Sequence, residues 1–166
     1  IFFDFFETFI SKLEETLGTK SSQTVGLFHS MTDENNYGNR IDSINYALSC
    51  DDGLNIKNYD RADIILTGVS RSGKTPTCLF LALQYGIFAA NYPLIEEDLE
   101  TIKLPTILQK NKNKLFGLSI NPVRLQNIRD ERRSNSGYAS IDQCRKEIKL
   151  AEDMFVQNQV PFLDTS

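Results

Sequence analysis

The chain has 166 residues, of which 40% are hydrophobic and 24% charged, with a formal net charge of −4. This composition is typical of one globular domain with a hydrophobic core, and it excludes disordered and fibrous proteins. The acidic balance argues against nucleic-acid binding, and no apolar run approaches the roughly 20 residues that a membrane helix needs. We therefore expect a protein that binds neither nucleic acid nor a membrane.

The cysteine and histidine content argues against disulfides and against a metal site of the zinc type. Cys50, Cys78 and Cys144 are widely spaced, and no pair has the short spacing of zinc ligands. We expect free, buried thiols and a cytoplasmic location, where thiols stay reduced. His29 is the only histidine, and we expect it to be structural or to lie at the surface.

The first part of the chain, up to about residue 55, predicts a helical lead-in to a single catalytic domain over 1–166. Apolar residues at helical spacing predict an amphipathic helix over 2–17, with Gly18 as its C-terminal cap. Residues 25–28 could form a short strand. A second helix is predicted over 41–49, and its buried face is expected to consist of Ile41, Ile44 and Leu48.

From about residue 60 to residue 166, short apolar segments alternate with helical ones. Strands are predicted at 63–66, 87–92, 115–120 and 160–163. Helices are predicted at 76–85, before Gly86; at 122–133, with Asn121 as N-cap; and up to about 157, with Ser140 and Gln143 as a capping box. This alternation predicts an α/β fold with a mostly parallel sheet flanked by helices.

A glycine-rich loop between the first predicted strand and the next helix has the Walker A pattern G-x-x-x-x-G-K-[ST]. Its residues are Gly68, Val69, Ser70, Arg71, Ser72, Gly73, Lys74 and Thr75. Glycines let successive N–H groups turn toward phosphate oxygens, and the following helix adds its positive dipole end. We expect a P-loop kinase-like core whose loop binds nucleotide. Lys74 should reach the terminal phosphates, Thr75 should bind Mg²⁺, and Arg71 should add positive charge.

Two adjacent carboxylates, Asp51 and Asp52, are expected at a helix end shortly before the strand that leads into the loop. A kinase that acts on a hydroxyl needs a carboxylate to accept or orient its proton, so either aspartate could serve, or could hold the metal. The alternative is a solvated turn.

An arginine-rich helix is the candidate for a second phosphate site. Arg129 and Arg132 are one helical turn apart, with Arg133 beside them, and guanidinium groups bind phosphate bidentately. We expect Arg129 and Arg132 to bind the second phosphate group of the reaction. The alternative is a charged helix face paired with neighbouring acidic residues.

With these residues in view, the chain resembles the pyruvate, phosphate dikinase regulatory protein family, which includes the phosphoenolpyruvate synthase regulatory proteins. The resemblance runs from about Tyr37 to the last residue. The blocks that carry it are Tyr37-x-x-Arg40-Ile41, Asp51-Asp52-Gly53, the loop with Pro76-Thr77, Ala89-Ala90-Asn91-Tyr92-Pro93-Leu94, Leu104-Pro105, Lys114-Leu115-Phe116-Gly117-Leu118, Ile128-Arg129-x-x-Arg132, Tyr138-Ala139 and Cys144.

The resemblance implies a bifunctional serine/threonine kinase and phosphorylase. Members use ADP to phosphorylate a threonine of the dikinase or synthase. They remove that phosphate by phosphorolysis, in which inorganic phosphate attacks and pyrophosphate is released. The resemblance implies ADP and inorganic phosphate as ligands, 68–75 as the nucleotide loop, and Asp51 and Asp52 as an acidic active-site pair. From the Walker pattern we expect Mg²⁺ as a further ligand, and Lys74 and Arg71 as catalytic residues beside the pair.

This sequence departs from the family pattern and leaves two rival functions open. Cys50 stands where the family usually has His, and the family's N-terminal domain and C-terminal helix are expected outside this chain. A P-loop kinase of small molecules or nucleotides is one rival, and a nucleotide-sensing module without catalysis is the other. The choice between the dikinase and the synthase, and a homo-oligomeric state, stay open.

Overall fold

A computed structural model describes residues 7–20, 34–132 and 137–166. The chain divides into two compact units, residues 1–34 and 35–166. The first contains helix α1 (Glu7–Leu17), which ends before Gly18 in the left-handed conformation of a C-terminal cap, as predicted. The predictions for residues 25–28, His29 and Arg133 lie outside the described residues.

The second unit is an α/β fold with a four-stranded parallel sheet. Its strands are β1 (Ile64–Gly68), β2 (Ala89–Pro93), β3 (Leu115–Ser119) and β4 (Phe162–Asp164). Its helices are α2 (Glu34–Ser49), α3 (Lys74–Tyr85), α4 (Glu96–Thr101), α5 (Thr106–Lys110), α6 (Pro122–Arg132) and α7 (Ile141–Gln157). The strand order is β2-β1-β3-β4 with every pairing parallel, which confirms the predicted fold class.

Hydrophobic cores cover both faces of this sheet. Successive side chains of a strand point to opposite faces, and Ile65 and Leu66 of β1 are both buried. Ile65 belongs to a core with Phe155 of α7, whereas Leu66 packs with Ala82 of α3. Burial on both faces explains why β1 begins with an unbroken apolar run over 64–66. The three cysteines are free and buried, as predicted.

The buried face of α2 differs in part from the prediction, because only Ile44 of the three predicted residues is half-buried and packs against a core. Ser43 and Ala47 are buried, whereas Ile41 and Leu48 are 41% and 54% exposed. The Ser43 hydroxyl donates to the backbone oxygen of Gly86 at 2.7 Å, just after the end of α3. Helix ends carry carbonyl groups without an intrahelical partner, so a small hydroxyl residue satisfies this contact where a large apolar side chain could not.

The predicted caps of the last two helices are largely confirmed. Asn121 Oδ1 accepts from the N–H of Val123 at 2.9 Å, and Ser140 Oγ accepts from the N–H of Gln143 at 3.2 Å. The second half of the predicted capping box is absent from the described contacts. The Gln143 side chain instead donates to Glu147 Oε1 at 3.0 Å.

The strand order places the glycine-rich loop at the edge where ligands bind in such sheets. From β1 the chain passes to β2 on one side and then to β3 on the other side of β1. Ligands of open α/β sheets bind beyond the carboxyl ends of the strands, where this order reverses. The loop joins the end of β1 to the start of α3, so it lies at that point. Within the described ranges, no helix combines the length and apolar content needed to cross a bilayer.

Candidate active site

The loop after β1 contains two residues in the left-handed backbone conformation. Arg71 and Gly73 both have positive φ, 75° and 87°. Residues of this conformation in a turn direct successive N–H groups into one concavity, and the start of α3 adds the positive end of its dipole. Gly68 is required by close approach, because a Cβ there would overlap the backbone oxygen of Leu118.

Lys74, the first residue of α3, is buried beneath the loop. Its side chain donates from Nζ to the backbone oxygen of Val69 at 2.8 Å. Burial lowers the pKa of Lys74 to about 8, although the charges of Asp52 and Asp51 act in the opposite direction. Among the described residues, the hydrogen-bond partner of this ammonium is a neutral carbonyl. The ammonium can exchange it for a phosphate oxygen, whose charge would favour the protonated lysine.

The acidic pair lies against this loop, as expected. Asp51 Oδ1 accepts a hydrogen bond from Thr75 Oγ1 at 2.8 Å and another from Asn91 Nδ2. Asp52 has a φ of 48°, a conformation that is uncommon outside glycine. Such strain often accompanies functional positions. The solvated-turn alternative is wrong for Asp51, while the catalytic roles of both carboxylates stay predictions.

Asn91 on β2 positions the pair, and sequence reasoning missed this role. Its side chain is fully buried: Nδ2 donates to Asp51, and Oδ1 accepts from the N–H of Asp52 at 3.0 Å. Its backbone oxygen accepts from the hydroxyl of Tyr59 at 2.7 Å. An amide buried in the middle of a strand is costly unless it is hydrogen-bonded, and that was the available signal.

A cavity of about 370 Å³ brings several of the predicted groups together. Its lining includes Asp52, Arg71, Lys74, Thr75, Ile128 and Arg132. A carboxylate, an ammonium, a hydroxyl and two guanidinium groups therefore border one space beside the loop. Such a set can bind a phosphate group and receive a hydroxyl nucleophile at the same place.

Arg129, predicted to bind phosphate, does not line this cavity. It is fully buried, and its guanidinium donates to Glu147 Oε2 at 2.6 Å, Ser70 O at 3.2 Å and Tyr138 O at 3.0 Å. The Tyr138 hydroxyl in turn donates to Ser70 Oγ at 2.9 Å. Arg129 therefore holds the loop rather than a ligand, which corrects the expectation. Of the two arginines, only Arg132 borders the cavity.

We predict a large loss of stability when Arg129 is replaced. Arg129→Met leaves the carboxylate of Glu147, only 17% exposed, without its charged partner, and breaking a buried pair costs about 3–5 kcal/mol. Urea denaturation measures the loss, and the double variant with Glu147→Met should recover part of it. Arg145→Ala is the matched control, because Arg145 is exposed and lies 3.9 Å from Asp142. An equally small loss in both single variants would contradict the structural role.

The chain is similar to known proteins over its whole length. The whole chain, residues 1–166, matches the family model described as kinase/pyrophosphorylase. A relative from Legionella pneumophila is 53% identical over 164 residues, which are 99% of this chain and 60% of the relative. One from Alkalilimnicola ehrlichii is 54% identical over 166 residues, 100% of this chain and 61% of the relative.

A third relative, from Aeromonas salmonicida, is 52% identical over 163 residues, 98% of this chain and 60% of its own. All three are provisionally named phosphoenolpyruvate synthase regulatory proteins. This chain spans about three fifths of the length of these curated relatives. The chain belongs to the kinase/pyrophosphorylase family.

Proposed function

We propose that this chain carries the catalytic centre of a bifunctional regulator. The regulator phosphorylates a threonine of phosphoenolpyruvate synthase, or of pyruvate, phosphate dikinase, using ADP, and removes that phosphate by phosphorolysis. The main support is the single cavity in which the loop meets Asp52 and Arg132. The relatives' names direct the choice of substrate toward the synthase. Because those relatives are longer, the activity is proposed for the whole protein.

In the forward direction, the N–H groups of the loop hold the two phosphates of ADP. Lys74 exchanges the Val69 carbonyl for an oxygen of the β-phosphate. The threonine hydroxyl enters the cavity that Asp52 and Arg132 line, which we call the first cavity, and attacks the β-phosphorus, and Asp52 accepts its proton. The bond from that phosphorus to the bridging oxygen breaks, and AMP leaves with the oxygen. Asp52 suits the proton better than Asp51, because Asp51 Oδ1 already accepts from Thr75 and Asn91.

The residues beside the loop fit Mg²⁺. This ion prefers oxygen ligands and usually binds one or two carboxylates together with substrate phosphates. Thr75 and Asp51 would hold it, since their oxygen atoms already lie 2.8 Å apart. Among the described residues, no cluster of three or more His, Cys, Asp or Glu could hold a metal, so phosphate oxygens and water would complete the shell. When bound, the ion would neutralise phosphate charge.

In the reverse direction, inorganic phosphate takes the place that the α-phosphate of ADP occupies on the loop. It attacks the phosphorus of the phosphothreonine, and the bond from that phosphorus to the threonine oxygen breaks. Protonated Asp52 returns a proton to the departing oxygen, and pyrophosphate is released. This direction brings two anions together, so it needs more positive charge than the forward reaction, in which a neutral hydroxyl attacks.

Arg132→Ala should therefore weaken phosphorolysis more than kinase activity. Loss of one charge-assisted hydrogen bond costs about 1.5–3 kcal/mol, which predicts a fall of at least about tenfold in kcat/KM with phosphorylated synthase. Kinase activity should fall less than about threefold. Initial-rate assays in both directions measure the ratio of the loss in phosphorolysis to the loss in kinase activity. Arg145→Ala is the control. Equal losses in the two directions would exclude this role.

The assay that tests the proposed function uses ADP labelled with ³²P in the β-phosphate. The full-length protein is incubated with purified phosphoenolpyruvate synthase, or with the dikinase, and the label should appear on a threonine of one of them. Transfer to a small-molecule acceptor would instead support the rival kinase. Binding of ADP without any transfer would support the sensing module.

A further inference from the structure

A second, smaller cavity adjoins the first one at the loop. Its volume is about 230 Å³, and Arg71, Gly73, Pro76 and Ile128 line both cavities. The second cavity also touches Ile120, just after β3, and Thr165, just after β4. It therefore lies at the carboxyl edge of the sheet, on the side of β1 where the strand order reverses.

The lining of the second cavity suits a flat, mostly uncharged group. Ile120 is 3% exposed and, with the half-buried Ile128, gives it an apolar wall. The exposed Arg124 borders the same space, and a guanidinium plane stacks well on an aromatic ring. The first cavity offers a carboxylate and an ammonium instead. A nucleotide whose phosphates lie on the loop therefore finds its better base site in the second cavity.

Two threonine hydroxyls in this cavity offer lone pairs rather than protons. Thr77 Oγ1 donates to Gly73 O at 2.8 Å, and Thr165 Oγ1 donates to Ser119 O at 2.9 Å. A hydroxyl has one proton, so both oxygens can only accept further hydrogen bonds. The two threonine oxygens suit the hydroxyls of a ribose or the amino group of a base as acceptors. Ser72, also in the lining, has a buried hydroxyl without a partner among the described residues, so it keeps its proton to donate.

We infer that the second cavity binds the nucleoside of ADP and so holds AMP, the leaving group of the forward reaction. This inference rests on the proposed function. The first cavity then receives the threonine, and the transferred β-phosphate lies at the boundary between the two cavities, on the loop. Phosphorolysis uses no nucleoside, so it leaves the base-binding part of the second cavity unused. The two directions therefore share the loop, Lys74 and Asp52, and only the forward direction uses the base-binding side chains.

Arg124→Ala tests this division of the site. It should raise the Kd and KM for ADP by about fivefold to tenfold, the range expected for a lost stacking partner, and leave the Kd for inorganic pyrophosphate within about twofold. The KM for phosphate in phosphorolysis should also stay within about twofold. Arg145→Ala, a distant exposed arginine, is the charge-matched control and should change none of these values.

The outcomes separate the inference from the function on which it rests. If Arg124→Ala weakens ADP and pyrophosphate equally, the cavity is a phosphate site and the inference is wrong. If it weakens neither, the nucleoside lies elsewhere and the inference is also wrong. If the unaltered protein binds neither ligand, the proposed function fails together with the inference.

A second measurement needs no variant. With isoleucine methyl groups labelled, the Ile120 methyl should show cross-relaxation with the base protons of bound ADP, and pyrophosphate should give no such signal. Binding of ADP without any contact between the base and Ile120 or Thr165 would overturn the inference.

Discussion

Lys74→Ala is expected to lower both kinase and phosphorolysis rates by about 10²-fold or more, the scale on which a single charge-stabilising donor acts in a water-excluded site. Lys74 is the buried ammonium beneath the loop, and both directions build negative charge there. Rates with saturating synthase measure the effect, and circular dichroism checks that the variant folds. Turnover like that of the unaltered protein would remove Lys74 from the mechanism.

The pH dependence of ADP binding gives a second readout for Lys74. Burial lowers its pKa to about 8 in the free protein, and a bound phosphate should raise that pKa. Affinity should therefore be greatest below pH 8 and fall as the pH rises above 8, and binding in that window should take up a proton. Calorimetry in buffers of different ionisation enthalpy measures this uptake, which Lys74→Ala should abolish.

Asp52→Asn is expected to reduce transfer by about 10²- to 10⁴-fold in both directions, because the carboxylate accepts the threonine proton in one and returns it in the other. The amide keeps the shape of the side chain, so the Kd for ADP should stay within about twofold. Single-turnover rates and equilibrium binding measure the two effects. Asp60→Asn, an exposed aspartate outside the cavity, is the matched control. A reduction below tenfold would exclude Asp52 as the proton acceptor.

Much of the sheet and the loop could be predicted because the relevant signals are local. The buried run at β1, the Walker pattern and the caps at Asn121 and Ser140 each depend on residues within about one helical turn. Helices α4 and α5 were not predicted. The acidic first turn of α4, which favours a helix start, was the signal available for it.

The site could be predicted only as far as its local motif reaches. Asn91 contacts Asp51 from 40 positions away along the chain, and the Arg129 guanidinium meets Ser70 from 59 away. No spacing rule predicts such contacts. Helical spacing placed Arg129 and Arg132 on one face, but it could not show that Glu147 of α7 would bury one of them. The tertiary structure therefore buries Arg129 and leaves Arg132 at the cavity, although helical spacing places both on one face.

The central claim is that one loop and the cavity beside it, lined by Asp52 and Arg132, serve both directions. Phosphorylated synthase, ³²P-labelled inorganic phosphate and the full-length protein test it most directly. The label should appear in pyrophosphate while the synthase loses its phosphate, and AMP should inhibit competitively with phosphate, because both place a phosphate group at the same position on the loop. Release of the threonine phosphate without labelled pyrophosphate, or inhibition by AMP that excess phosphate does not relieve, would contradict the claim.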